Sequence, residues 1–97
     1  MPGWILQSDG DSPITIRLMR GVSKTLGRAK ADFVVDAALV SRRHCRLTAD
    51  ASDQLIVEDL GSTNGTEVNG KRVKRGVLRP GDKLTVGRVV FTIQGTD

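Results

Sequence analysis

The side chains of this chain best equipped for chemistry are hydroxyls, carboxamides and guanidinium groups. They are most concentrated in Asp59-Leu60-Gly61-Ser62-Thr63-Asn64-Gly65-Thr66. Gly61 and Gly65 permit backbone angles that other residues resist, so the segment can bend sharply twice. Between them Ser62, Thr63 and Asn64 offer short side chains that donate hydrogen bonds. A tightly bent loop, rich in donors and with no acid at its tip, suits an anion. A plainer reading is a polar hairpin, because Asn-Gly between apolar runs is the strongest short hairpin signal. On either reading the segment follows the apolar run Leu55-Ile56-Val57, and the ends of strands are where binding loops gather.

The charge balance agrees with an anionic partner. The net charge is +4 and the pI about 9.8, which admits nucleic acid, an acidic membrane surface or a phosphorylated protein. Enzyme chemistry has less to work with. The single cysteine, Cys45, follows the single histidine, His44. Adjacent strand residues point to opposite faces, so the two are not expected to form a nucleophile–base pair. Two such residues also fall short of a zinc site's three or four ligands. No paired carboxylates are apparent, so no catalytic residue, cofactor or metal is expected. One cysteine cannot form an intramolecular disulfide and fits a reducing compartment. The first residues lack the basic lead and long apolar run of a signal peptide. No run approaches the roughly 20 apolar residues of a membrane helix. A cytoplasmic location, without membrane contact, is the expectation.

These residues have to be positioned by strands. Hydrophobic residues make up 38% of the chain and aromatics 3%, so the core must rest on Val, Leu and Ile. They come in short runs punctuated by Gly, Pro, Asp and Asn. Trp4–Leu6, Ile14–Leu18, Ser23–Gly27, Phe33–Val35, Cys45–Ala49 and Leu55–Val57 read as strands. Thr66–Val68, Arg72–Lys74, Val77–Leu78, Lys83–Val86 and Val89–Ile93 continue the series. The turns between them include Ser8–Pro13, Asp50–Asp53, Asn69-Gly70 and Arg79–Asp82. Asp36–Val40 is too short for a helix of consequence and reads as an irregular loop. Gln94–Asp97 reads as a frayed polar tail. About ten strands in 97 residues predict an all-β fold: one domain over 1–97, ordered from about 4 to 94. Its expected architecture is an antiparallel β-sandwich of two packed sheets.

Four pieces, in this order, resemble the forkhead-associated (FHA) domain, a phosphothreonine-binding module: Gly27-Arg28, Ser41-Arg42-Arg43-His44, the Asp59–Thr66 loop and Val68-Asn69-Gly70. Each alone is a weak signal, but all four in order within one strand-rich chain are a strong one, and the resemblance covers nearly the whole chain. The resemblance implies a two-sheet sandwich whose loops at one end hold a phosphothreonine protein or peptide, with a preference for phosphothreonine over phosphoserine. By the same resemblance Arg28 grips the phosphate, its permanently charged fork suited to paired bonds with phosphate oxygens. Ser41 and Thr63 add hydroxyl and amide donors, and Arg42 contacts the phosphate or the peptide backbone. Asn64 bonds the peptide main chain, and Ser62 is a further candidate. His44 holds the loops together, while Gly27, Gly65 and Thr66 are framework. Arg43 is expected to face solvent. Leu39 and Val40 precede Ser41 where the family reads residues after the phosphothreonine, which leads to an expected apolar preference around the third position. Asn69 could border the groove but reads better as a turn.

The sequence admits two other readings. Lys71, Arg72, Lys74, Arg75 and Arg79 form a basic cluster that could follow a nucleic-acid backbone. The chain's three rings, Trp4, Phe33 and Phe91, fall in apolar strand runs instead of on a stacking surface, which counts against nucleic acid. The other alternative is an FHA fold used as a phosphate-independent protein-interaction surface. The matched binding positions weigh against it.

Overall fold

Apolar residues at every second position turn one face of each strand toward a shared core. In the computed structural model, which describes residues 3–10, 12–50 and 54–96, the alternation is clearest where Cys45, Leu47 and Ala49 are fully buried between half-exposed Arg46 and Thr48. Eleven strands result: β1 (Gly3–Ser8), β2 (Thr15–Met19), β3 (Ser23–Gly27), β4 (Phe33–Val34), β5 (Cys45–Ala49), β6 (Leu55–Asp59), β7 (Thr66–Val68), β8 (Lys71–Val73), β9 (Arg75–Leu78), β10 (Lys83–Val86) and β11 (Val89–Thr96).

They form two sheets, one ordered β2-β1-β11-β10-β7-β8 and the other β4-β3-β5-β6-β9. All pairings are antiparallel except β3 with the two-residue β4, which runs parallel. Leu6, Ile16, Leu18, Leu84, Phe91 and Ile93 from the first sheet join Leu26, Leu47, Leu55, Val57 and Leu78 from the second in one core. The architecture is the expected β-sandwich. Among the described residues no helix is long and apolar enough to cross a membrane.

Three readings of the sequence need correction. Gln94 to Thr96 is not frayed: these residues continue β11 and pair with Ile5, Trp4 and Gly3 of β1. Polar side chains concealed a backbone pairing that a neighbouring strand supplies. The Asn64-Gly65 turn is not a hairpin either. β6 lies in one sheet and β7 in the other, so the segment 60–65 crosses between the sheets. The true hairpin is the second Asn-Gly pair, where Asn69 (φ 51°) and Gly70 (φ 84°) both take left-handed angles between β7 and β8. His44, finally, precedes β5 and is fully buried like Cys45, so strand alternation does not separate the two. The Asp50–Asp53 turn and Asp11 of the first turn fall partly or wholly outside the described residues.

Candidate functional site

Three connections meet at one end of the sandwich: β3 to β4, β4 to β5, and β6 to β7. The first two are tied by backbone bonds, with Arg28 N–H donating to the Ser41 carbonyl (2.9 Å) and Ala29 N–H to that of Arg42 (3.3 Å). Gly27 is what permits this closeness. A Cβ there would lie 2.0 Å from the Arg42 carbonyl oxygen, so any other residue would push the loops apart. The second and third connections are joined through Ser41, whose Oγ accepts the Thr63 N–H at 3.0 Å. They are joined again by Asn64 Nδ2 donating to the Leu39 carbonyl at 3.1 Å.

His44 sits beneath this junction, fully buried. Its Nδ1 accepts the Ser41 N–H at 3.1 Å, so Nε2 carries the ring proton and donates to the Gly65 carbonyl at 2.8 Å. One imidazole therefore fixes both loops. With both nitrogens occupied by backbone, it has no hydrogen-bonding capacity left for a substrate. Cys45 beside it is inert for a different reason: burial, with a contribution from Asp59, pushes its thiol up to about 12.

The loop that crosses between sheets is organised by Asp59. Its carboxylate accepts the N–H groups of Gly61 and Ser62, each at 3.0 Å, together with the hydroxyls of Ser62 and Thr66. Burial of the carboxylate works to raise its pKa. The bonds from the Ser62 and Thr66 hydroxyls and from the two amides outweigh that and hold it below the usual carboxylate range. This role was visible only as an Asp two and three positions before a Gly-Ser pair, the pattern of an Asx turn. It also explains Ser62, which the sequence placed among the ligand contacts. Its Oγ donates to Asp59 and accepts the Gly65 N–H at 3.0 Å, and the residue is buried, so it belongs to the framework.

Arg28, Ala38, Leu39, Val40, Ser41, Thr63 and Asn64 line an open cavity of about 390 Å³. Arg28 is exposed, but its Nε is anchored to the Val40 carbonyl at 3.1 Å. The anchor fixes the plane of the guanidinium and leaves its two terminal amino groups available. Among the described residues no carboxylate pairs with it. Ser41 Oγ, already accepting from Thr63, keeps its own proton to donate. The expected Thr63 amide donor, by contrast, is used internally, which leaves the Thr63 hydroxyl as that residue's donor.

The other expected contacts divide. Val40 is 3% exposed and joins the core, so of the pair before Ser41 it is Leu39, 43% exposed, that presents a side chain outward. Leu39 takes a left-handed φ of 71°, with its carbonyl held by Asn64. Arg42 lies outside the cavity wall and contributes its carbonyl to the loop junction. Arg43 is exposed to solvent. Asn69 also lies outside the cavity: it is latched to the start of β10, accepting the Lys83 N–H at 2.9 Å and donating to Asp82 at 3.1 Å. Gly65, at φ 89°, stays framework, covered by the Arg72 side chain.

Comparison with known proteins places the domain in a family. The chain is 36% identical over 95 residues to a probable serine/threonine-protein kinase, fhkA, of Dictyostelium discoideum, covering 86% of this chain and 16% of that protein. It is 40% identical over 83 residues to the FHA domain-containing protein FhaA of Mycobacterium tuberculosis, covering 84% of this chain and 15% of that one. The chain thus spans about a sixth of the length of these two relatives. A solved structure from work on phosphothreonine-dependent FHA domain interactions superposes with a TM-score of 0.86 at 34% identity, over 95% of each chain. The FHA domain family itself matches residues 24–87, a span that contains every residue lining the cavity, and the chain belongs to that family.

Proposed function

We infer that this domain is a phosphopeptide-binding module that recognises phosphothreonine on a partner protein. One observation carries the reading: Arg28, Ser41 and Thr63 come from three separate connections and line one cavity, with the Arg28 fork held by Val40 and, among the described residues, no carboxylate paired with it. A phosphothreonine brings close to two negative charges and three acceptor oxygens to that fork and the two hydroxyls. Bonds to a charged group contribute about 1.5–3 kcal/mol each. Three or four of them, less the cost of ordering a flexible peptide, leave roughly −8 kcal/mol, a micromolar affinity. The free Asn64 oxygen is placed to accept a peptide N–H, while Leu39 faces the residues that follow the phosphothreonine. Binding of this kind involves no covalent step, and the module's role is signalling or regulated assembly within a single domain.

Calorimetric titration with a phosphothreonine peptide, its phosphoserine analogue and its unphosphorylated form tests the reading. The phosphothreonine form should bind in the micromolar range and the unphosphorylated form not measurably. Phosphoserine should bind a few-fold more weakly, since one buried methyl contributes about 0.8 kcal/mol. Equal binding of all three would instead favour a phosphate-independent interaction surface.

Two further outcomes follow from the site. The second phosphate pKa is near 6, so the ligand loses one charge as pH falls through that value. Affinity should therefore drop below about pH 6, and titrations at neutral and mildly acidic pH that agree would exclude a dianionic ligand. A degenerate phosphopeptide library should select an apolar residue around the third position after the phosphothreonine, against Leu39. Selection of an acidic or neutral polar residue there would remove that assignment.

A further inference from the structure

Arg72, in the β7–β9 basic cluster, has its guanidinium placed against the binding loop. A Cβ built on Gly65 would lie 2.5 Å from Arg72 Nε and 2.9 Å from its Cζ. Gly65 thus leaves room for this side chain to lie across the loop immediately after Asn64, which lines the cavity. The left-handed φ of Gly65 keeps that room open, because other residues resist the conformation. Arg72 is exposed, and its guanidinium makes no hydrogen bond or ion pair among the described residues. Glu67 faces it across the β7–β8 register without pairing with it, and Lys71, Lys74 and Arg75 surround it in sequence. A guanidinium lying against the loop with its donors unused is placed to receive an anion.

Its distance from the cavity sets where that anion would be. Gly65 lies two residues beyond Thr63, at most about 7 Å along the chain. An extended ligand advances about 3.3–3.6 Å per residue, so a group two or three residues from the phosphothreonine comes within reach. Resting on the phosphothreonine reading above, we propose that Arg72 forms a second, acid-reading subsite. It selects ligands that carry a further negative group, a carboxylate or a second phosphate, two residues after the phosphothreonine or two to three before it, leaving the third position after it to Leu39. The specificity of the module then has two parts: Arg28 demands the phosphate, and Arg72 grades the sequences around it.

Fluorescence anisotropy with a neutral-flanked phosphothreonine peptide, and with Asp placed in turn at each flanking position out to the third on both sides, tests this. The acid-bearing peptide at the matching position should bind about three- to tenfold more tightly than the neutral one, the effect of one charged bond at a partly exposed site. Arg72→Leu keeps an aliphatic stem over Gly65 and removes the charge, so the ratio should fall to about one while the neutral peptide binds as before. Arg72→Lys should retain part of the ratio, and Arg72→Gln reads the same quantity if the leucine variant does not fold. A structural role alone would weaken both peptides equally and leave the ratio untouched, which would overturn the proposal. An absence of any acid-dependent gain in the native domain would also overturn it. A peptide phosphorylated at the matching position separates the sources: a gain above that of Asp identifies a second phosphate, and an equal gain a carboxylate. If the neutral phosphopeptide binds no better than its unphosphorylated form, the phosphothreonine reading itself fails. If it binds and only the acid gain is missing, the failure is confined to Arg72.

Discussion

Replacing Arg28 with alanine lowers phosphothreonine-peptide affinity by about a hundredfold or more, while the domain stays folded. The two terminal amino groups of the fork supply two charge-assisted bonds, each contributing about 1.5–3 kcal/mol, and about 1.4 kcal/mol is a factor of ten. The fold is expected to tolerate the change because Arg28 is exposed and gives the rest of the domain only its Nε bond to Val40. Surface changes of that kind usually stay within about 0.5–1 kcal/mol. Arg28→Lys separates charge from geometry. It keeps the positive charge but loses the planar fork and the Nε anchor, so it should recover only part of the affinity. Titration of the three proteins against one peptide, with a thermal melt of each, checks all of this. Unchanged binding by Arg28→Ala would remove the phosphate from the cavity.

The largest effect on stability is expected at Asp59, a residue that touches no ligand. Asp59→Ala removes the acceptor for two amides and two hydroxyls at once. Water can reach the exposed Gly61 amide, but Thr66 is fully buried and Ser62 nearly so, and their groups would be left without partners. Each such orphaned group costs about 1–3 kcal/mol, giving an overall loss of about 2–4 kcal/mol. For a domain of this size the melting temperature should fall by about 10 °C or more. Binding should weaken too, because Ser62, Thr63 and Asn64 are carried by the loop that Asp59 organises. A melting temperature within a degree or two of the native value would contradict this account of the loop.

The same carboxylate makes stability depend on pH in a defined direction. The folded pKa lies below the ordinary value of 3.8, so the folded state favours the ionised form. That contribution is complete above the unfolded value and is lost as pH falls through the lowered folded one. The gap in stability between the native domain and Asp59→Ala should accordingly be constant near neutrality and narrow in the acid range below about pH 4. A gap that widened on acidification would have the wrong sign.

The strands were legible because burial enforces a period of two: Ile16 and Leu18, Cys45 and Leu47, Leu84 and Val86 each mark a face turned to the core. The positions of Arg28, Ser41 and Thr63 were legible through the spacing of short motifs. Partnerships made at a distance were not. Nothing local to Asn64-Gly65 shows that β7 joins the other sheet, so a strong hairpin signal pointed to the wrong connection. Ser62 and Thr63 are equivalent donors on paper. Only the orientation imposed by Asp59 turns the first inward and leaves the second on the cavity wall. Arg72 read as one member of a basic run until the bare face of Gly65, seven residues earlier, gave it a place. The polar Gln94–Thr96 segment pairs with the first strand for reasons that lie in β1 rather than in its own side chains.

The most direct test follows backbone and side-chain resonances while a phosphothreonine peptide is added to the isotope-labelled domain. The account predicts saturable shifts centred on Arg28, Ser41, Thr63 and Asn64, including the Arg28 terminal amino groups, and none with the unphosphorylated peptide. Shifts centred on the β8–β9 face instead, or the same shifts without the phosphate, would contradict it.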